Sequence, residues 1–410
     1  MRACGDPSRP VLGTGALPRR GFGDALDLAS PRVLFWLPHG IGDAILASPA
    51  ISGLRRAHPD ARIELAFFRD ASRAVLAGHP DVDLTHVLDE RGVAFWRALA
   101  RLRHRYDLAV LPGGLTLWKH RWAMRVVAPR ACAGVWPRHL RRPWFSHGVV
   151  ASRGEHAATL LVEALRRALP RVDAGSPFAA LRGEDHHLAA SLWDSHGFAG
   201  RPVLVVATGC EPANPYKRWP LDRFLEVVRR FLHAHPDWRV WIPVGPGETD
   251  HAHAWRTIGD DRVAVSTDVR LSTVTAALAR ARLLLANDSG LAHLAGAVAL
   301  PSVVIFGPTD PGLTHPLGSA WSVVKRGGCD RQPCFPHFGE RFDPARCTHE
   351  HACLGAIPVE PVLAAMERRL TLGTPEWVEW GGAPSVAQRA PVQSPPRATA
   401  LSGALRQRGA

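Results

Sequence analysis

Residues 33–68 read VLFWLPHGIGDAILASPAISGLRRAHPDARIELAFF, and their order decides the fold class. Val33–Leu37 is a short, uninterrupted apolar run that ends at Pro38, the pattern of a strand buried on both faces. His39-Gly40-Ile41-Gly42-Asp43 is a tight turn. Ala44–Ala57 then has helical spacing, with Ile45, Leu46, Pro49, Ala50, Gly53 and Leu54 on one face, until His58-Pro59-Asp60 stops it. Arg62–Phe68 is a second strand. Strand, turn, helix and strand make a βαβ unit, which requires a parallel sheet.

Working outward, the alternation continues through Asp107–Leu111 to a helix over Ala157–Ala168, and a mixed, polar stretch at 171–201 reads as an interdomain link. A second series follows. Val203–Ala207, Arg239–Val244, Arg262–Val265, Arg282–Ala286 and Ser302–Phe306 are predicted strands, and Asp222–His235, Ser272–Ala279 and Leu291–Ala299 predicted helices. Two βα series in one chain predict two Rossmann-like domains facing across a cleft. The expected boundaries are a disordered leader at 1–30, an acceptor-binding domain at 31–185, a donor-binding domain at 200–372 and a disordered tail at 373–410, rich in Pro, Ser, Ala, Gly and Arg.

The chain has 410 residues, enough for two domains. No run of about 18 apolar residues predicts a membrane span, and the N-terminal arginines leave no apolar core of signal-peptide length, so the expected location is the cytoplasm. Seven cysteines, an odd number, argue against a disulfide framework. Four of them, Cys329, Cys334, Cys347 and Cys353, cluster near His337, His349 and His351. Their spacing lacks close cysteine pairs at both ends, so reduced structural thiols are favoured over zinc.

The net charge of +13 is concentrated: Arg97–Arg142 holds eleven basic residues and one acid, Asp107, with Trp118, Trp122, Trp136 and Trp144 in or beside it. A basic surface with aromatics suits an anionic partner, such as a phosphorylated glycolipid or an anionic membrane face. Three lysines against 47 arginines also admit a purely compositional origin. Nucleic acid is not the expected partner, because no recognition module is present.

Four loops carry candidate chemistry. Gly40-Ile41-Gly42-Asp43 follows the first strand, where an open α/β sheet meets its ligand; Asp43 can act as a general base toward an acceptor hydroxyl, or simply cap the helix. Asn287-Asp288-Ser289-Gly290-Leu291-Ala292-His293 opens another helix, whose free N–H groups suit phosphate. Ser289 and His293, one turn apart, can face one ligand; the alternative is a capping Asp288 or Ser289 with a structural histidine. Thr208-Gly209-Cys210 through Lys217-Arg218-Trp219-Pro220 aims a lysine at the same crevice, where its charge would offset a departing nucleoside diphosphate. A merely solvated lysine is the other reading. Gly245-Pro246-Gly247-Glu248 offers Glu248 to a ribose or sugar hydroxyl. Together the loops suit a nucleotide-sugar donor facing an acceptor that can be deprotonated.

The stretches GIGDAILASPAISGLRRAHPDARIEL, TGC with YKRWP, GPGE and NDSGLAHLAGAVALPSVVIFGPTDP resemble glycosyltransferase family 9, the lipopolysaccharide heptosyltransferases. The resemblance implies a GT-B fold, inverting transfer and no required metal or other cofactor. It implies Asp43 as the base and Thr208, Gly209, Lys217, Glu248, Asp288, Ser289, Gly290, Leu291 and His293 around the donor. On the acceptor side it points to Gly40, Gly42, Lys119 and Arg121. The expected reaction moves heptose from ADP-heptose to a lipopolysaccharide-core-like, anionic glycolipid acceptor. The expected enzyme is a monomer, peripheral at the membrane's inner face. The alternatives are another nucleotide sugar or acceptor, or a nucleotide-sugar epimerase on the same fold.

Overall fold

The computed structural model describes residues 24–112, 118–136, 145–151, 154–211, 214–245, 248–318, 320–327, 329, 332–335, 347 and 352–381. The first half runs β1 (Arg32–Leu37), α1 (Ile41–Ala57), β2 (Arg62–Phe67), α2 (Asp70–Val75), β3 (Leu84–Val87), α3 (Gly92–Arg101), β4 (Leu108–Leu111), α4 (Trp118–Val127), β5 (Ala131–Trp136), β6 (His147–Val150) and α5 (Ala157–Ala168). The second runs α6 (Gly183–Ser195), β7 (Val203–Ala207), α7 (Leu221–Ala234), β8 (Arg239–Val244), α8 (Thr249–Arg256), β9 (Val263–Thr267), α9 (Leu271–Arg280), β10 (Leu283–Asn287), α10 (Gly290–Ala297), β11 (Ser302–Phe306), α11 (Pro311–Thr314), β12 (Trp321–Arg326), α12 (Ala352–Gly355), α13 (Val359–Thr371) and β13 (Glu376–Trp380).

Each half is built on one wholly parallel sheet. The orders are β3-β2-β1-β4-β5-β6 and β13-β12-β11-β10-β7-β8-β9. The central strands are apolar along their length because helices cover both faces. On β1, Val33, Phe35 and Leu37 join a core cluster that also takes in residues of the second sheet, while Leu34 and Trp36 face a separate cluster under α3 and α4. The strand order reverses between β1 and β4 in the first sheet and between β7 and β10 in the second. Ligand crevices of open α/β sheets form beyond the carboxyl ends of the strands at such points.

Helix α1 joins the halves. It is buried from Ala44 to Ile51 because it packs on α2 and α5 of its own half and on α10 of the other. Pro49 within it cannot donate to the Ile45 carbonyl, and the Ser48 hydroxyl donates there instead at 2.7 Å. The connecting chain crosses α1 at Gly53, where a Cβ would lie 1.9 Å from the Asp173 carbonyl oxygen. Helix α6, within the stretch read from sequence as a link, packs on α9 and so belongs to the second half.

Two sequence expectations need correction. The tail expected from 373 includes β13, which pairs in parallel with β12, Ser322 opposite Glu376 through Arg326 opposite Trp380. Its sequence EWVEW carries β-forming aromatics that the Pro- and Ser-rich composition of the following residues masked. Of the expected leader, residues 24–30 are placed: Leu26 is buried and its N–H donates to the Ala168 carbonyl at 2.8 Å. Residues 1–23 and 382–410 lie outside the described residues.

Candidate active site

The second-half crevice is assembled by Asn287, at the end of β10. Its side-chain amide donates to the Thr208 carbonyl beyond β7 at 2.8 Å, and its side-chain oxygen accepts the Trp219 N–H at 2.9 Å. Trp219 is buried, and its indole N–H donates to the Ile357 carbonyl at 3.0 Å. These anchors hold the preceding single 3₁₀ turn, Pro215–Lys217, against the start of α10. Lys217 Nζ thereby sits 2.7 Å from Asp288 Oδ2, and the Thr309 hydroxyl donates to the same oxygen at 2.8 Å. Lys217 is largely buried, so it is not the solvated lysine of the alternative reading. Burial pushes the Asp288 carboxyl up, but the Lys217 ammonium, then His293 and Thr309, hold it below the usual carboxylate range.

Ser289 is the N-cap of α10, yet its side chain makes no capping bond. Its Oγ and His293 Nδ1 are buried and lack a hydrogen-bond partner among the described residues. Unpaired buried polar atoms carry a desolvation penalty that a bound ligand would relieve. They flank a helix N-terminus, where N–H groups are free and the local potential is positive. Burial lowers the His293 pKa, with Asp288 and Asp43 opposing and Lys217 assisting, so the ring is held toward its neutral form.

Glu248 is buried at the N-terminus of α8; its Oε2 accepts the Gly245 N–H at 3.0 Å, and its Oε1 lies 3.9 Å from Arg218 Nη2. Gly209 permits this: a Cβ there would fall 1.7 Å from Glu248 Oε1. Thr208 Oγ1 is 3.1 Å from His251 Nδ1. Pro246 and Gly247 lie outside the described residues.

The first-half contribution arrives at α1. Its N-cap is Gly40, so Asp43 is not the cap; it is exposed in the first helical turn. The N-termini of α1 and α10 meet in two close approaches. A Cβ on Gly42 would lie 2.7 Å from His293 Cδ2, and one on Gly290 would lie 2.8 Å from Ile41 Cβ. The glycines therefore let the two helices touch, and they bring Asp43 within electrostatic reach of His293. Leu291 is half-buried in the first turn of α10.

Lys119 lies deeper in the first half. Its ammonium sits 4.9 Å from the Phe95 ring centroid, donates to the Glu90 carbonyl and is 3.7 Å from Glu90 Oε2. His120 beside it is buried, accepts the Trp36 indole N–H at 3.1 Å, and has its pKa pushed down to about 4 by burial, then by His39 and Lys119. Lys119 and Arg121 are two positions apart on α4 and leave it on different faces, so the structure does not group them. Sequence reasoning missed Thr309, Arg218, Glu90 and His120 as parts of these crevices. Thr309 carried a signal, since it follows an apolar strand as the other site loops do.

Among the described residues no group of three or more His, Cys, Asp or Glu is placed to hold a metal ion. Cys329, Cys334, Cys347 and Cys353 lie within electrostatic reach of one another. Their neighbours His337, His349 and His351 lie outside the described residues. No helix among the described residues is long and apolar enough to cross a membrane.

Comparison with known proteins agrees with this arrangement. The sequence profile of glycosyltransferase family 9 (heptosyltransferase) matches residues 95–340, more than half of the chain. The chain is 27% identical over 309 residues to lipopolysaccharide heptosyltransferase 1 of Pseudomonas aeruginosa, covering 70% of this chain and 81% of that protein. Its fold resembles the family 9 glycosyl transferase of Veillonella parvula, with a TM-score of 0.66 at 21% identity, over 84% of this chain and 99% of that one. It also resembles the Escherichia coli ADP-heptose lipopolysaccharide heptosyltransferase II, with a TM-score of 0.61 at 17% identity, over 83% and 98%. With two parallel sheets in the GT-B arrangement and a family profile matched over more than half of its residues, the chain belongs to glycosyltransferase family 9 and is a glycosyltransferase.

Proposed function

We propose that the enzyme transfers heptose from ADP-heptose to a lipopolysaccharide-core-like acceptor, with inversion at the anomeric carbon. The observation that carries this reading is the meeting of the α1 and α10 N-termini. It brings the exposed Asp43 carboxylate near the start of α10, where Ser289 Oγ and His293 Nδ1 lack a hydrogen-bond partner among the described residues and Lys217 pairs with Asp288, features suited to an anion. The named relatives, a lipopolysaccharide heptosyltransferase and an ADP-heptose enzyme, supply the sugar and the nucleotide.

In this mechanism the acceptor hydroxyl lies against Asp43, which takes its proton as the oxygen bonds to the anomeric carbon. The bond from that carbon to the diphosphate oxygen breaks on the opposite face, and the electron pair leaves with the nucleoside diphosphate. Lys217, the Ser289 hydroxyl, His293 and the N–H groups at the start of α10, around Gly290 and Leu291, offset the charge that develops there. Thr208 and Gly209 border the diphosphate, and Glu248 accepts hydrogen bonds from ribose hydroxyls. Gly40, where a Cβ would meet nothing within 4 Å, leaves room for the acceptor to approach Asp43, while Gly42 admits the His293 ring beside it.

The test is a donor screen that follows release of ADP, UDP or GDP with and without heptose-deficient lipopolysaccharide precursors, together with Asp43→Asn. The expected result is acceptor-dependent ADP release from ADP-heptose, a product of inverted configuration, and a fall in kcat of roughly 10²–10⁴-fold in the variant with little change in donor binding. Turnover near the parent's in Asp43→Asn, or release of another nucleotide only, overturns the assignment.

A further inference from the structure

The crevice beside Lys119 is built differently from the anion site in the second half. Glu90, on the loop after β3, supplies its carboxylate, and the side chain is 34% exposed. Glu90 Oε2 is 3.7 Å from Lys119 Nζ and Oε1 is 3.8 Å from His120 Nε2, too far for direct hydrogen bonds. Both oxygens therefore keep capacity to accept. His120 Nδ1 accepts the Trp36 indole N–H, a group that can only donate. Burial, with His39 and Lys119, holds the ring neutral. Its single ring proton is then on Nε2, the edge nearest Glu90. Half-buried Phe68 adds an aromatic wall, its ring centroid 5.3 Å from that of His120 and 4.7 Å from that of Trp36.

Charge is balanced here. Lys119 has Glu90, Arg91 has Asp89 at 3.1 Å, and Arg69, next to Phe68, has Glu211 at 2.9 Å. The last pair crosses from the loop after β2 to the loop after β7, so the crevice lies on the donor side of the first half. His39, beside the α1 N-cap Gly40, is within electrostatic reach of His120 and ties the crevice to the turn that carries Asp43. An anion entering would meet the Glu90 carboxylate and find the lysine already matched. Hydroxyl groups meet neither obstacle: they can donate to Glu90 and accept from Lys119 and His120. Aromatic surface with a few aimed donors and acceptors is the usual make-up of a small-molecule site.

We infer that this crevice is the subsite for a neutral sugar ring of the acceptor. Glu90, Lys119 and the His120 Nε2–H hold its vicinal hydroxyls, and its ring carbons rest against Phe68. The same groups discriminate against a sugar that carries a carboxylate or phosphate at that place. The inference rests on the proposed function for one point, that the acceptor enters the first-half crevice.

The test is ligand-observed NMR titration of the full chain with methyl α-mannopyranoside, its 6-phosphate and the matching methyl mannopyranosiduronate. The neutral glycoside is expected to bind with a Kd of about 1 mM, in keeping with its size, and the two anions at least about ten-fold more weakly. Glu90→Gln should weaken the neutral glycoside about ten-fold and reverse the preference, because Lys119 then stands without its carboxylate. A merely structural role for Glu90 would weaken all three probes alike. His120→Asn keeps an acceptor for the Trp36 indole but loses the Nε2–H, and should weaken the neutral glycoside about five-fold. Melting curves check folding, and if His120→Asn melts low, the reversal in Glu90→Gln decides. No binding of the neutral glycoside, tighter binding of either anion to the parent, or an unchanged preference in Glu90→Gln overturns the inference. ADP titrated into the parent reads the donor crevice separately. If ADP binds, such results leave glycosyl transfer standing; a parent that binds no ADP removes the donor reading instead.

Discussion

Removing the Lys217 ammonium should destabilise the second half of the enzyme, and by an amount that depends on pH. In Lys217→Ala the Asp288 carboxylate, with a side chain only 5% exposed, loses its partner at 2.7 Å. Breaking a buried ion pair from one side costs about 3–5 kcal/mol. The Thr309 hydroxyl and the start of α10 still support Asp288, so about 2–3 kcal/mol is expected here. For a unit of this size that is a fall in Tm of roughly 4–12 °C. In the parent, the depressed Asp288 pKa contributes stability above the unfolded carboxyl value and loses it as pH falls through the lower folded value. In the variant, burial acts without Lys217 and raises the folded pKa. Stability is then lost as pH rises through that value, so the deficit against the parent should be larger at about pH 8 than at about pH 5. Calorimetry at both pH values measures this. Adding Asp288→Asn to Lys217→Ala removes the stranded charge and should recover most of the lost Tm. A Lys217→Ala protein that melts within about 1 °C of the parent at both pH values refutes the reasoning, because the pair would then contribute little to stability.

Gly209→Ala should push Glu248 out of its pocket, since the new Cβ would coincide with the carboxylate. Donor KM should rise about ten-fold or more with kcat and Tm little changed; an unchanged KM would remove Glu248 from the donor site. Acid should loosen the contact between the halves. His315 is buried, stacks on Trp321 with ring centroids 4.4 Å apart, and accepts a bond from His156 Nε2 at its carbonyl. Burial lowers its pKa to about 4. A lowered histidine pKa means stability that is present above the unfolded value near 6.5 and lost as pH falls toward about 4. His315→Asn should flatten the decline of Tm over that window, and a parallel decline in the two proteins would show that other groups set it.

Much of this was legible in order and chemistry alone. Val203–Ala207, Arg239–Val244 and Ser302–Phe306 are strands at the residues read from the sequence, and Ala157–Ala168 is the predicted helix. Buried parallel strands and amphipathic helices are local patterns that each segment carries by itself. The loops with candidate chemistry could be found because each directly follows an apolar strand and holds residues that a plain turn does not need. β13 was lost for the opposite reason: five residues of strand character stand next to a long Pro- and Ser-rich segment, and composition averaged over a window hides a short edge strand.

What the sequence by itself determined is the class of fold, the membership of two βα series and the loops that follow their strands with residues a plain turn does not need. What only the tertiary structure decided is which of those residues meet. Lys217 and Asp288 are 71 positions apart, and they form a 2.7 Å pair because Asn287 and Trp219 fix the loop between them. Gly42 and Gly290 are unremarkable as single letters. Their meaning appears once two helices approach so closely that a Cβ on either would overlap the other. Lys119 and Arg121, neighbours in the chain, part company because a helix turns through about 100° per residue. Contacts between distant segments depend on how whole elements pack, and packing energy belongs to the pair rather than to either stretch of sequence.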